Sequence, residues 1–597
     1  MQKVLRNSSP KEQNSWHPER RGWTKTLAGV GVMALFMQAC AVCAQSAQPA
    51  PSANIFIEQE RRDAERASQQ RAQQERNADV KLPAAPQASV GLLPTEESPC
   101  FKIDLVTLNA GRDAGPQDLL DAVGQTTSGA ADSPIGRCLG AKGVQVVIDR
   151  LQNKLIAQGY VTGRVLAKPQ NLQNGTLALE LIFGKINRVQ WTPSGPAQMH
   201  RASEWNILPM SAGDVLNLRD VEQALENYKR VPTAEADIQI APGTEPGTSN
   251  LIISHQQPMP FRLSATADDS GTRSTGKYQG SLTFSYDNWW NLSDLFYATM
   301  LHDLGGAEPG QRGTRGHIVH YSVPFGYWLM GFTNSSNRYH QTVAGANQDY
   351  LYSGTSRNME AKLTRVLQRD AVGKTSISLK GFQRSSNNYI DDAEVEVQRR
   401  VVGGLEWGLN HRRSWSGGSL DANVNYRRGT GAWGSLPAPE QAFGEGTSHM
   451  KLWLLDATVQ QAFPVGGQRL QYTGTWRAQQ NRTPLTPQDR FAIGGRFTVR
   501  GFDGMSVLSA ERGWLMRNEI STPITPQIQA YLGVDTGHVS GPSAAQLVGQ
   551  SLTGGVLGVR GQWARVQYEV FMGKPLSKPE HFRTSSSTAG FSISFSI

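Results

Sequence analysis

From Phe261 to Ile597 the chain alternates apolar and polar residues in short runs broken by Gly, Asn, Asp and Ser. Leu282, Phe284 and Tyr286 alternate with Ser281, Thr283 and Ser285, and Leu470, Tyr472 and Trp476 with Gln471, Thr473 and Arg477. Further on, Ala564, Val566, Tyr568, Val570 and Met572 alternate with Arg565, Gln567 and Glu569. A period of two sends successive side chains to opposite faces of a strand. Two architectures satisfy it: a transmembrane barrel with lipid outside and a polar lumen, or a soluble antiparallel sandwich. The aromatic content, the export signal described next and the length favour the barrel. About 337 residues at roughly 20 per strand and turn predict about 16 antiparallel strands. Downstream of the first 44 residues no run approaches the roughly 20 apolar residues of a spanning helix, which leaves a closed barrel as the way to satisfy the backbone in lipid.

The first 44 residues read as a secretory signal peptide. Arg20, Arg21 and Lys25 precede an apolar run from Leu27 to Met37, and Val42-Cys43-Ala44 supplies small residues for cleavage before Gln45. Cys40 and Cys43 would leave with it. Cys100 and Cys138 remain as an even pair in an oxidising compartment, which predicts a disulfide, the alternative being two buried thiols.

Residues 45–80 contain a densely charged run, Glu58 to Arg76, free of Gly and Pro. Its composition predicts a helix. The run lacks a wide apolar stripe, so it cannot be an ordinary core helix; a solvated arm is one reading. Residues 81–97 are proline-rich and read as an extended linker. Two small α+β units follow, at 98–185 and 186–257. In the first, Phe101 opens a strand, Asp118 to Val123 and Val144 to Gln158 form helices, and Tyr160 to Val165 and Thr176 to Phe183 form strands. In the second, Asn217 caps a helix beginning at Leu218.

Catalytic patterns fail on inspection. Gly271 to Lys277 has the spacing of a phosphate loop, but Tyr278 stands where a magnesium-binding hydroxyl is required and a strand follows. His317 and His320 fall on opposite faces of a strand and make a poor metal pair. No Gly-x-Ser-x-Gly elbow is present. The 59 Lys and Arg against 50 Asp and Glu give a modest excess that a basic lumen accounts for without nucleic acid.

One motif remains. Val499-Arg500-Gly501-Phe502, followed by Tyr531-Leu532-Gly533-Val534-Asp535-Thr536-Gly537, with Gly513-Trp514-Leu515-Met516-Arg517-Asn518-Glu519-Ile520 between, resembles the loop and strand motifs of two-partner secretion outer-membrane transporters (TpsB, the haemolysin/haemagglutinin secretion-activation type). The α+β units resemble POTRA domains, through Gly159-Tyr160-Val161 and through Val231-Pro232 to Pro242-Gly243. Asp269-Ser270-Gly271, Tyr321 to Trp328 and Gly573-Lys574-Pro575-Leu576 are also family-like. Phe591 to Ile597 is similar to a closing strand that carries an assembly signal, although it ends in Ile where the family usually has Phe.

The resemblance, from about residue 98 to the C-terminus, implies a concrete machine. Residues 258–597 would form the barrel, with a loop folded inward and Arg500 anchored by Asp535 beside Phe502; a buried arginine needs such a carboxylate. Residues 45–80 would form a plug helix in the lumen. The POTRA domains would bind an unfolded exoprotein (adhesin, haemolysin or contact-dependent toxin) in the periplasm by strand addition, and the barrel would secrete it. The expected setting is the Gram-negative outer membrane, with lipid around a monomeric barrel inserted by the barrel-assembly machinery. No cofactor, metal, nucleic acid or enzymatic step is expected. The alternatives are an insertase of the barrel-assembly type, which would normally carry more POTRA modules, and a diffusion porin, which would carry none.

Overall fold

The computed structural model describes residues 54–75, 79–83, 91–110, 117–124, 131–192 and 204–597. The expected signal peptide, 1–44, lies outside the described residues, as do the start of the 45–80 segment and 84–90 of the expected linker.

Sixteen antiparallel strands close into a barrel, from Phe261–Asp268 to Thr588–Ser596. Closure joins these two directly, with Ser592 opposite Asp268 and Ser596 opposite Ser264. Ile597 extends the seam by exchanging backbone hydrogen bonds with Leu263. The alternation acts as predicted. On Gln279–Asp287, Ser281, Thr283 and Ser285 are buried while Leu282 and Phe284 are exposed to the lipid side. One run reads differently: Ala564 and Arg565 are not strand residues but the two-residue turn between Trp563 and Val566. Ala564 adopts a positive φ of 52° there. A two-residue hairpin turn needs such a conformation, and alternation alone cannot reveal it.

The first α+β unit pairs Leu105–Asn109 in parallel with Thr176–Ile182, which pairs antiparallel with Arg164–Leu166. The helix Ala141–Ala157 covers this sheet through Val147, Leu151 and Leu155. The predicted strand from Tyr160 is shortened, because Gly159 at φ +99° and a turn from Tyr160 to Gly163 take its first residues. Predicted helix 118–123 is a 3-10 helix, Gln117–Gly124. Cys100 and Cys138 are joined, Cα to Cα 5.3 Å, beside the short pairing of Phe101–Lys102 with Cys138–Leu139.

At both described ends, 81–83 and 91–97, the expected linker carries no helix, and it packs against the units it joins. Leu93 is buried in the first unit's core, and Glu97 caps the helix Ala141–Ala157 by accepting from Gly140, Lys142 and Gly143 N at 2.7–2.9 Å. Leu82 packs on the second unit's core, and its N donates to Glu222 at 2.9 Å. Proline density forbids helix propagation but does not forbid packing.

The second unit sets Lys185–Trp191 parallel and Glu235–Pro242 antiparallel to the central strand Thr248–Gln256. Its helix Leu218–Lys229 starts at Asn217, whose side chain accepts from Arg219 N. This unit is bolted to the barrel rim. Asn206 Nδ2 donates to Leu292 O and Pro324 O at 2.9 and 3.0 Å, and Asn227 Nδ2 to Gly326 O at 2.8 Å. Arg369 reaches down from the barrel to Glu222 and Glu226, and Lys374 joins it on Glu226 at 2.6 Å. Tyr327 donates to Asp220.

The helix Asn54–Gln74 lies within the barrel. Twenty-one residues at 1.5 Å each span about 31 Å, the depth of a bilayer core. Its contacts with the wall are largely polar, as its composition demands. Near its start Gln59 accepts from Thr275 at 3.0 Å, and Arg66 donates to Gln279. Near its end Gln74 donates to Ser264 at 3.0 Å and accepts from Ser285 and Arg262 at 3.1 Å.

Candidate functional site

Residues 482–511 connect Gln468–Asn481 to Arg512–Thr525 and fold into the barrel. A small hairpin, Phe491–Ile493 with Leu508–Ala510, carries the loop inward. An apolar cluster of Ile493, Val499, Phe502, Leu508 and Leu515 holds it there. Val499 is fully buried in that cluster, which fixes the chain on either side of Arg500.

Arg500 is 6% exposed and Asp535 is 0% exposed. The guanidinium grips the carboxylate with two nitrogens, Nε to Oδ2 at 2.7 Å and Nη2 to Oδ1 at 2.9 Å. Arg500 N adds a third bond to Oδ2 at 3.0 Å. Its remaining corner donates to Glu519 at 2.6 Å, and Glu519 also meets Arg560 at 2.8 Å. The planar fork is filled on two sides, a geometry a lysine cannot reproduce. Phe502 packs at the edge of Phe582, ring centroids 5.7 Å apart, and lies over Gly554.

The wall beneath the loop is made of glycines. A Cβ on Gly533 would come within 2.7 Å of Arg500 Nη2, and one on Gly573 within 2.8 Å of Gly501 Cα. One on Gly554 would collide with Arg500 O. Gly501 itself has φ +97°, and its own Cβ would meet Lys574 O at 2.6 Å. The loop therefore seats backbone against backbone. Gly554→Ala removes no charge, yet neither atom of the clash can rotate away. Overpacking of this kind costs about 1–3 kcal/mol, so the seated population should fall by roughly tenfold. Limited proteolysis of the folded barrel should show faster cleavage at 496–505, and unchanged protection would count against the glycine floor.

The loop is also tied laterally. Arg496 donates to Asp269 at 2.8 Å, and Asp269 accepts from Phe591 N at 2.9 Å. Asp503 accepts from Ser585 N and Oγ, both at 2.8 Å, and from Met505 N at 3.0 Å. Burial alone would raise the Asp503 carboxyl; these bonds outweigh it and hold the group below its usual value. The helix Asn54–Gln74 touches the same loop through Arg62 to Gly504 O and Arg61 to Pro487 O at 3.3 Å.

The structure thus brings together Val499, Arg500, Gly501, Phe502 and Asp535. Glu519, Gly533 and Gly573 stood in the motif segments without a role, while Arg560 and Gly554 escaped sequence reasoning. Glu519 shared strand parity with Arg517, which was a usable signal. Gly554 offered none, since its role depends on register between strands. The phosphate-loop spacing at 271–277 proves to be an outer turn that receives Gln59 of the helix. His320 faces the lumen beside Thr333 and Ser322, both at 2.9 Å, and Glu75 at 3.4 Å.

Comparison with known proteins places this arrangement. Residues 247–561 match the family model described as haemolysin secretion/activation protein ShlB/FhaC/HecB. Residues 125–184 match a ShlB-type POTRA domain and 185–242 a POTRA domain. The outer membrane transporter CdiB-2 of Burkholderia pseudomallei is 34% identical, over 92% of this chain and 96% of its own length. The hemolysin transporter protein ShlB of Serratia marcescens is 25% identical over 81% of each chain. The solved structure of CdiB from Acinetobacter baumannii superposes with a TM-score of 0.77 at 28% identity, covering 91% of this chain and 98% of that one. With two POTRA domains in the periplasm and a closed sixteen-strand barrel in the outer membrane, the chain belongs to the ShlB/FhaC/HecB family of two-partner secretion transporters and works as a protein translocator.

Proposed function

We propose that the transporter receives an unfolded, signal-cleaved exoprotein in the periplasm, and that the helix Asn54–Gln74 is a plug which yields the lumen to it. The observation that carries this reading is a charged helix occupying a polar lumen whose periplasmic mouth bears the POTRA domains. A helix bonded to the wall mainly through polar side chains can exchange those bonds for water or for a passing polypeptide. Glu235–Pro242 lies at a sheet edge of the second POTRA domain, where backbone pairing gives affinity with little demand on client sequence. Arg500, held by Asp535 and Glu519, keeps the inward loop seated, with Phe502 packed beside the clamp. Folding of the client outside biases the chain against return. The client is an adhesin, a haemolysin or a contact-dependent toxin.

The remaining parts follow from this mode of work. The signal peptide, 1–44, delivers the chain to the periplasm, where the Cys100–Cys138 disulfide forms. The barrel-assembly machinery inserts it into outer-membrane lipid, and it acts as a monomer, with no cofactor, metal or enzymatic chemistry. The test is co-expression with the N-terminal secretion fragment of a large exported protein encoded beside it. The fragment should reach the medium. Its retention in the periplasm by a well-assembled transporter would refute the assignment to that client class.

A further inference from the structure

Trp205 belongs to the second POTRA domain, within the short helix Glu204–Ile207, yet it is 66% exposed. Large aromatic rings in soluble domains usually bury their apolar body. Its neighbours hold the backbone that carries it. On one side Glu204 accepts from Trp191, and on the other Ile207 is fully buried in the domain core. Between them Asn206 is clamped to the barrel rim through Leu292 O and Pro324 O, and Gly326 N donates back to Asn206 O at 2.7 Å.

Its neighbours belong to the lipid-facing surface. The Trp205 ring lies 5.3 Å from that of Phe325. On the strand Arg312–Phe325 the residues His320 and Ser322 face the lumen, so Phe325, of opposite parity, faces lipid. Phe325 pairs with Trp328, and the adjacent rim turn carries Trp289 and Trp290, the latter 64% exposed. Trp289 stacks against Trp290 and packs on Tyr286 and Phe296. Such a band at the membrane boundary is the aromatic girdle of outer-membrane barrels, where indole rings rest at the headgroup level. Trp205 continues this girdle from outside the barrel.

We propose that Trp205 seats the second POTRA domain in the periplasmic leaflet of the outer membrane, with interfacial lipid as its partner. The domain then has two holds of different kinds: polar bonds to the rim turns, and an indole ring in the bilayer. The ring is a projecting edge continuous with a lipid-facing band and is not the floor of a groove, which favours lipid over a protein partner.

A nitroxide introduced by Trp205→Cys in the full transporter, reconstituted in liposomes, tests this by relaxation with oxygen against a water-soluble nickel chelate. The expected result is preferential relaxation by oxygen, as for a Trp290→Cys control and opposite to Leu105→Cys in the first POTRA domain. Preferential relaxation by nickel would overturn the proposal. So would a label shielded from both reagents only when exoprotein fragment is present, because that would assign the residue to the client. Since the label replaces the ring, a second measurement uses brominated lipid. Wild-type protein should lose more tryptophan emission than Trp205→Phe, and equal loss would overturn the proposal.

Discussion

Arg500→Ala is expected to abolish export while leaving the barrel assembled. Removing one partner of a buried ion pair costs about 3–5 kcal/mol, and about 1.4 kcal/mol is tenfold in population. The inward-seated loop should therefore lose roughly two to three orders of magnitude in occupancy. The loss is concentrated at this residue because its side chain makes two bonds to Asp535 and a third to Glu519, while the backbone N–H bond to Asp535 survives the change. Arg517 lies 3.7 Å from Asp535 and partly shields the orphaned carboxylate, so the barrel itself should tolerate the change. Arg500→Lys should recover only a minor part of export, since one ammonium cannot meet both carboxylates in the plane of the fork. The check is secreted fragment in the medium at matched outer-membrane levels of each variant, with heat-modifiable migration to confirm folding. Wild-type export by Arg500→Ala would refute the clamp. In a double-mutant cycle, Arg500→Ala with Asp535→Ala should be milder than the sum of the single changes, because the pair is lost together.

Deletion of residues 54–75 is expected to raise ion conductance in planar bilayers several-fold. A helix with side chains is about 10–12 Å across, and this one lies in the lumen along about 31 Å of its depth. Its removal leaves strand pairing untouched, since its wall contacts run through side chains such as Gln59, Arg66 and Gln74. The loop should stay seated as well, because Arg500 and Asp535 owe nothing to the helix. Conductance equal to wild type would mean that the helix does not obstruct the pore. Export and conductance should then separate the two elements: the Arg500 variant loses export, and the deletion opens the channel.

Much of this molecule was legible in the sequence where the physics is local. Leu282, Phe284 and Tyr286 announce their face because neighbouring residues on one strand must alternate. Asn217 announces a helix start because its cap lies two residues from its partner. What was not legible depends on residues distant in sequence meeting in space. Glu97 caps a helix more than forty residues away, so the packing of the proline-dense linker is invisible in its own sequence. The Arg500–Asp535 pair was reachable only through a resemblance of motifs. Its extension to Glu519 and Arg560 needs the register of strands Arg512–Thr525 and Ser551–Trp563, and period two does not supply register. Gly554 is the sharpest case: the residue matters for what it lacks, and only the position of Arg500 O reveals it.

The docking of the second POTRA domain on the rim is one-sided. Every docking bond described above falls between Leu292 and Lys374, whereas the arc from Trp415 to Trp563 carries none of them. The barrel is thus entered past a fixed bracket on one half of its perimeter, as a doorway is passed beside its jamb. On the proposed mode of strand addition, a client paired with the edge Glu235–Pro242 would set out from a platform fixed to that half of the rim, so its hand-over to the lumen would always come from the same side.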